Sequence, residues 1–122
     1  MKELTKAEEQ IMQVLWDLGE GVVRDILDRL PQPKPAYNTV STIVRILEKK
    51  EFVSHRAVGK THVYYPAVEI EDYRKYSADK LMRDYFEGSP KTMVSYFLEN
   101  EEIDLTEMDE IIRLLNQKKK DA

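Results

Sequence analysis

Asn38, Ser41, Thr42, Arg45 and Lys49 recur at the three- and four-residue steps that align side chains along one face of an α-helix. At about 100° per residue they share one arc, opposite the arc of Val40, Ile43, Val44 and Leu47. The outer arc carries short hydrogen-bonding side chains in its first half and cations in its second. It holds no acidic residue, whereas a solvated helix face ordinarily interleaves Glu with Lys. Small polar residues let a helix approach a surface closely, as a groove only about 12 Å wide requires. The chemistry is that of a helix laid into the major groove. Asn38, Thr39, Ser41, Thr42 and Arg45 are expected at base edges or adjacent phosphates, and Lys49 at the sugar–phosphate backbone.

A second basic feature follows. Phe52–Val58 and Thr61–Pro66 alternate as β-strands rich in Val, Phe, Tyr and Thr, and Gly59-Lys60 between them permits a hairpin turn. Arg56 and Lys60 near its tip are expected to touch phosphates only. His55 and His62 lie on opposite strands, directly or diagonally opposed according to the turn register. Two histidines without carboxylate company make a poor zinc site, so structural or phosphate-facing roles are assigned to them and no metal is expected.

Catalytic residues are not expected. There is no Gly-rich phosphate loop, no plausibly spaced Ser-His-Asp set and no HExxH. The chain is read as not an enzyme, with no cofactor.

The elements that must position these residues are legible from local signals. Thr5-Lys-Ala-Glu8 has capping-box spacing and opens a helix from about Lys6 to Leu18, with Ala7, Ile11, Val14, Leu15 and Leu18 as its apolar stripe. Trp16 beside that stripe is read as packing rather than recognition. Gly19-Glu-Gly21 stops the helix. A short second helix buries Val23, Ile26, Leu27 and Leu30, and Pro31, Pro33 and Pro35 stiffen the loop before the third, which runs from about Ala36 to Lys50. Helix, helix, helix, hairpin is the order of a winged helix-turn-helix.

The remainder changes character. Glu69–Glu87 reads as a helix carrying Tyr73, Tyr76, Leu81, Tyr85 and Phe86. Gly88-Ser-Pro90 supplies a stop, an N-cap and a first helical residue. A short helix to about Leu98 includes Phe97, an acidic connector covers Glu99–Asp104, and Thr106 opens a last helix carrying Met108, Ile111, Ile112 and Leu115. Three wide apolar stripes in about 50 residues are too few for a self-sufficient core. They are read as half of a dimer interface, with Tyr73, Tyr76, Leu81, Tyr85, Phe97, Met108, Ile111, Ile112 and Leu115 on it. The Lys118-Lys-Lys120 run suits a soluble helix end. The expected organisation is a mainly α (α+β) chain, with a winged-helix DNA-binding domain over 1–68 and a helical dimerisation domain over 69–122.

Charge agrees with this division. The 122 residues carry a net charge of −4, yet residues 34–60 hold six basic groups against two acidic ones. An acidic protein with one basic segment presents that segment to something. There is no cysteine, and no apolar run exceeds three residues, so disulfides, thiolate chemistry and a membrane span are not expected and a cytoplasmic location is. The competing reading is a winged-helix module that binds protein rather than DNA; the acid-free arc and the basic hairpin tip favour DNA.

These pieces, taken in order, resemble the penicillinase repressor (BlaI/MecI) family of winged-helix transcription repressors over essentially the whole chain. They are Leu4-Thr-Lys-Ala-Glu8, Val14-Leu-Trp16, Thr39-Val-Ser-Thr-Ile43, Leu47-Glu-Lys-Lys50, Val63-Tyr-Tyr65 and Phe86-Glu-Gly-Ser-Pro90. The resemblance implies a homodimer held by the C-terminal helices on a palindromic operator. It also implies relief of repression when a membrane sensor-protease system cuts the C-terminal domain. Three positions depart from the family pattern. Glu51 stands where a Gly usually follows the Lys pair, so that helix can end differently. Ile46 stands where an Arg often precedes the leucine, with Arg45 one residue earlier. Tyr96-Phe97 stands at the family's Asn-Phe cleavage point. Copper-responsive relatives bind metal through C-terminal cysteines, which this chain lacks.

Overall fold

The computed structural model describes residues 1–121. The elements are α1 (Lys6–Leu18), α2 (Val23–Arg29), α3 (Tyr37–Lys49), β1 (Val53–Val58), β2 (Thr61–Pro66), α4 (Ile70–Tyr85), α5 (Pro90–Glu99) and α6 (Leu105–Asp121). The chain is mainly helical, with one two-stranded antiparallel hairpin. Its contacts divide it into two compact units, Met1–Tyr76 and the segment from Ser77 onward.

The first unit is a winged helix. Ile11, Met12 and Leu15 of α1 meet Val23, Ile26 and Leu27 of α2, Val40, Val44 and Leu47 of α3, and Phe52, Val53 and Tyr64 of the hairpin in one buried cluster. The stripe of α1 is rotated from its expected setting: Met12 is fully buried and Ala7 is exposed. The rotation carries Glu8 inward, where it is 4% exposed. Its carboxylate accepts the Thr5 N–H at 2.7 Å, completing the capping box, and the Lys50 ammonium at 2.8 Å. One side chain thereby caps α1 and ties it to the end of α3.

Burial alone would raise the Glu8 pKa, but the hydrogen bonds from Lys50 and Thr5 outweigh it and hold the carboxyl below its ordinary value. A depressed carboxylate stabilises the fold above its ordinary pKa and loses that contribution as pH falls through the lowered value. Glu8→Gln, which keeps a capping amide but not the charge, is therefore expected to cost about 1–2 kcal/mol at neutral pH. In urea titrations the gap between wild type and variant should close in strong acid. A gap constant across pH would refute the ion pair's role.

Two further ties set the hairpin. Gly21 and Tyr64 exchange both backbone hydrogen bonds, at 2.9 and 2.8 Å, so the α1–α2 turn adds a bridge to β2. At the end of α3, Glu51 adopts a φ of 67°, and the Phe52 N–H reaches back to the Leu47 carbonyl at 3.0 Å. The left-handed cap that favours glycine is thus formed by glutamate, and the helix end matches the glycine pattern despite the substitution. Lys34 serves a third, unexpected end: its ammonium donates to the carbonyls of Leu27, Asp28 and Leu30, closing the last turn of α2.

Trp16 packs as expected, its indole N–H donating to the Val68 carbonyl at 2.9 Å. Its ring lies 5.5 Å from Tyr73, which also meets Phe52 edge-on at 5.8 Å. Tyr73, expected on a dimer face, is half-buried and packs against the core of the first unit. Its packing is why the first turns of α4 belong with the winged helix and the unit runs past Val68 to Tyr76.

The second unit is built differently. Ser89 Oγ accepts the Thr92 N–H at 3.1 Å ahead of Pro90, as the Ser-Pro signal indicates. The start of α6 is capped not by Thr106 but by the Asp104 carboxylate, which takes the Glu107 N–H at 2.8 Å. Phe86, Tyr96 and Phe97 form an aromatic group with centroids 5.4–6.4 Å apart. Among the described residues, none from Ser77 onward is buried. Leu81, Tyr85, Tyr96, Ile111, Ile112 and Leu115 are all exposed, with Phe97 and Met108 half-buried.

Candidate nucleic-acid interface

The sequence that buries Val40, Val44 and Leu47 of α3 turns the opposite arc outward by necessity, because 3.6 residues complete each turn. Asn38, Thr42, Arg45 and Lys49 are exposed and Ser41 is half-buried beside them. The arc is partly pre-ordered: Arg45 Nη2 donates to Ser41 Oγ at 3.0 Å, laying the guanidinium along the helix. Thr39 is exposed on the flank, where it lines a cleft with Gln10, Pro31 and Pro33. It stands apart from the arc that holds the other four base-edge candidates.

The start of α3 adds features that the sequence did not disclose. Ala36 supplies no side-chain cap and the first turn holds no acid, so the positive end of the helix is left uncompensated beside Asn38. Tyr37, the first helical residue, is 47% exposed, and the Arg24 guanidinium of α2 sits 5.6 Å over its ring. Only the folding of α2 against α3 creates that pair, so no local signal announces it.

The hairpin has two faces. Pairing of His55 with Tyr64 and of Ala57 with His62 puts both histidines on one face, diagonally opposed, and Arg56 opposite Val63 on the other. The histidine face meets α3, where His55 Nδ1 lies 2.5 Å from Glu48 Oε2. Tyr64 is buried between them. Burial raises its hydroxyl pKa, the Glu48 carboxylate adds to the rise, and Arg45 opposes it. Arg56 pairs instead with Glu20 of the α1–α2 turn, both side chains about half exposed. An exposed pair of this kind contributes little, so a phosphate can compete for Arg56. Lys60 stands exposed at the tip beside Gly59, whose φ of 62° makes the turn. Among the described residues no group of three or more His, Asp or Glu side chains is arranged to hold a metal ion.

The profile of the penicillinase repressor family matches residues 4–117 of the chain. The chain belongs to that family. Its members are transcriptional repressors, not enzymes. The penicillinase repressor of Bacillus licheniformis is 25% identical over 118 residues, covering 96% of this chain and 92% of its own length. The methicillin resistance regulatory protein MecI of Staphylococcus aureus (strain N315) is 25% identical over 117 residues, covering 95% of each. Among solved structures, the monomeric form of Bacillus licheniformis BlaI in complex with the blaP half-operator aligns with a TM-score of 0.50 at 25% identity. That alignment covers 59% of this chain and 89% of the other. For this repressor-family chain, no helix among the described residues is long and apolar enough to cross a membrane.

Proposed function

We propose that the chain is a dimeric, cytoplasmic repressor that binds a palindromic operator. The observation that carries the reading is the acid-free outer arc of α3, presented by a winged helix of a family with a DNA-bound relative. Asn38, Ser41, Thr42 and Arg45 meet base edges or the phosphates next to them, Thr39 reaches only from the flank, and Lys49, Arg56 and Lys60 meet the backbone. Arg45→Ala is expected to cost about 1–3 kcal/mol and relax preference at one operator position. Lys60→Ala should weaken all duplexes alike and make the salt dependence shallower by about one unit. Competition binding across a salt series separates the two. A Lys60→Ala protein with altered sequence preference and an unchanged salt slope would show that the wing does not hold phosphate.

The exposed apolar residues of α4–α6 support a second copy of the chain as their cover, since a monomer rarely leaves such surface in water. Release by a sensor-protease system follows from the family resemblance. The Tyr96-Phe97 bond lies within α5, where the Tyr96 ring packs at a tilt against Phe86, so a protease reaches it only if that helix opens. The connector through Asp104 is exposed apart from half-buried Ile103 and is the easier target. A cut between Tyr96 and Asp104 would strip α6 from the shared interface and leave the winged helix folded. Mass spectrometry of repressor from induced cells should then find a fragment ending in that interval. An intact chain after full induction rules out proteolysis as the switch.

A further inference from the structure

The histidines of the hairpin are the only two in the chain, and they stack. Their rings lie 4.2 Å apart and 14° from parallel, both exposed on the wing face that meets α3. The groups around them are Glu48, in contact with His55, Tyr64, 5.7 Å from His55 and 6.1 Å from His62, and Arg45 and Tyr37, within electrostatic reach of Tyr64. Glu48 is the sole carboxylate of α3. Its place against His55 puts one negative charge beside two groups that can each become positive.

We propose that His55 and His62 form a proton-gated phosphate site on the wing, which engages a DNA phosphate as the pair takes up its second proton. The proposal rests on the reading of the chain as a DNA-binding repressor and adds a contact and a control to it. Two imidazolium rings stacked at this distance repel, and the Glu48 carboxylate offsets only one positive charge. The second proton needs another anion within reach. Arg45 cannot supply it, being a cation, and burial pushes the Tyr64 hydroxyl pKa up, away from the charged form. A backbone phosphate lying along the wing supplies it. Linkage then runs both ways: DNA raises the proton affinity of the pair, and protons raise the DNA affinity of the wing by the same factor. The pairing of Glu48 with His55 leaves His62 as the ring whose charge is unmatched until DNA arrives.

Because the contact is to phosphate, any duplex reports it, and the probe is a mixed-sequence duplex of about 30 base pairs at low, constant ionic strength. Fluorescence anisotropy with the full chain should show affinity rising about threefold to tenfold between about pH 7.5 and pH 6.0, since uptake of one proton allows at most about tenfold per pH unit. His62→Gln should abolish most of the rise. Lys60→Ala should bind more weakly throughout and keep the rise. Proton NMR of the wild-type imidazoles supplies a readout that needs no variant to fold: the His62 titration midpoint should move upward when the duplex is added. Duplex binding that is independent of pH, or a His62 midpoint unmoved by DNA, overturns the site and leaves the repressor reading standing. No duplex binding at any pH overturns the repressor reading and the site together.

Discussion

A chain ended after Tyr76 is expected to fold, to sediment as a monomer and to bind operator DNA about two to four orders of magnitude more weakly than the full chain. Folding is expected because every buried residue among those described lies in Met1–Tyr76. Monomeric behaviour is expected because the exposed apolar residues from Leu81 to Leu115 are removed. The loss in affinity has a geometric origin. One winged helix touches a single half-site, and two held about one helical turn apart bind as a unit. Analytical ultracentrifugation and gel shift on the same samples check both halves. A dimeric truncated chain would place the interface in the winged helix.

Phe52→Ala is expected to destabilise the first unit by about 3–5 kcal/mol, because a fully buried ring is lost and the cavity cannot close. Phe52 sits where the end of α3, the start of the hairpin and the Tyr73 ring of α4 converge. Its loss should loosen the wing relative to α3 as well as lower the melting temperature. Tyr73→Ala should cost about 2–3 kcal/mol by the same route, being half-buried rather than buried. The informative readout is the oligomeric state of Tyr73→Ala. If Tyr73 serves the first unit, the variant melts earlier yet sediments like the wild type. A variant of unchanged stability that dissociates would return Tyr73 to the dimer face.

Tyr73 also marks where sequence reading runs out. Helical spacing shows that a residue lies on an apolar face, but not which of two cores that face meets. The helices of the winged unit were legible because their signals are local: the Thr5–Glu8 capping box, the prolines before α3, and Val40, Val44 and Leu47 at helical period. Partners distant along the chain were not. Glu8 bonds Lys50 across 42 positions, and Arg56 bonds Glu20 across 36. Neither sequence neighbourhood hints at the other. Lys34 belongs to the basic segment by charge, yet its ammonium closes α2 on three carbonyls within seven residues of it. The hairpin register, open in the sequence between direct and diagonal histidines, was settled by the two-residue turn at Gly59-Lys60.

The outer arc of α3 is the most legible part of the candidate site, because helical period alone sets which side chains oppose the core. Thr39 and Arg56 are the least. Thr39 sits one step around the helix, exposed beside a cleft it lines with Gln10, Pro31 and Pro33, and Arg56 lies on a strand whose faces only the register distinguishes.

A dimer that presents α3 and the wing from each protomer should bind a two-fold symmetric DNA site. Footprinting of the full chain on the promoter region of its own operon tests it most directly. Protection of a palindrome whose half-sites lie about one helical turn apart is expected, lost when Arg45 and Lys49 are both replaced by alanine. Absence of any protected site, or protection unaffected by that double substitution, would overturn operator binding through α3.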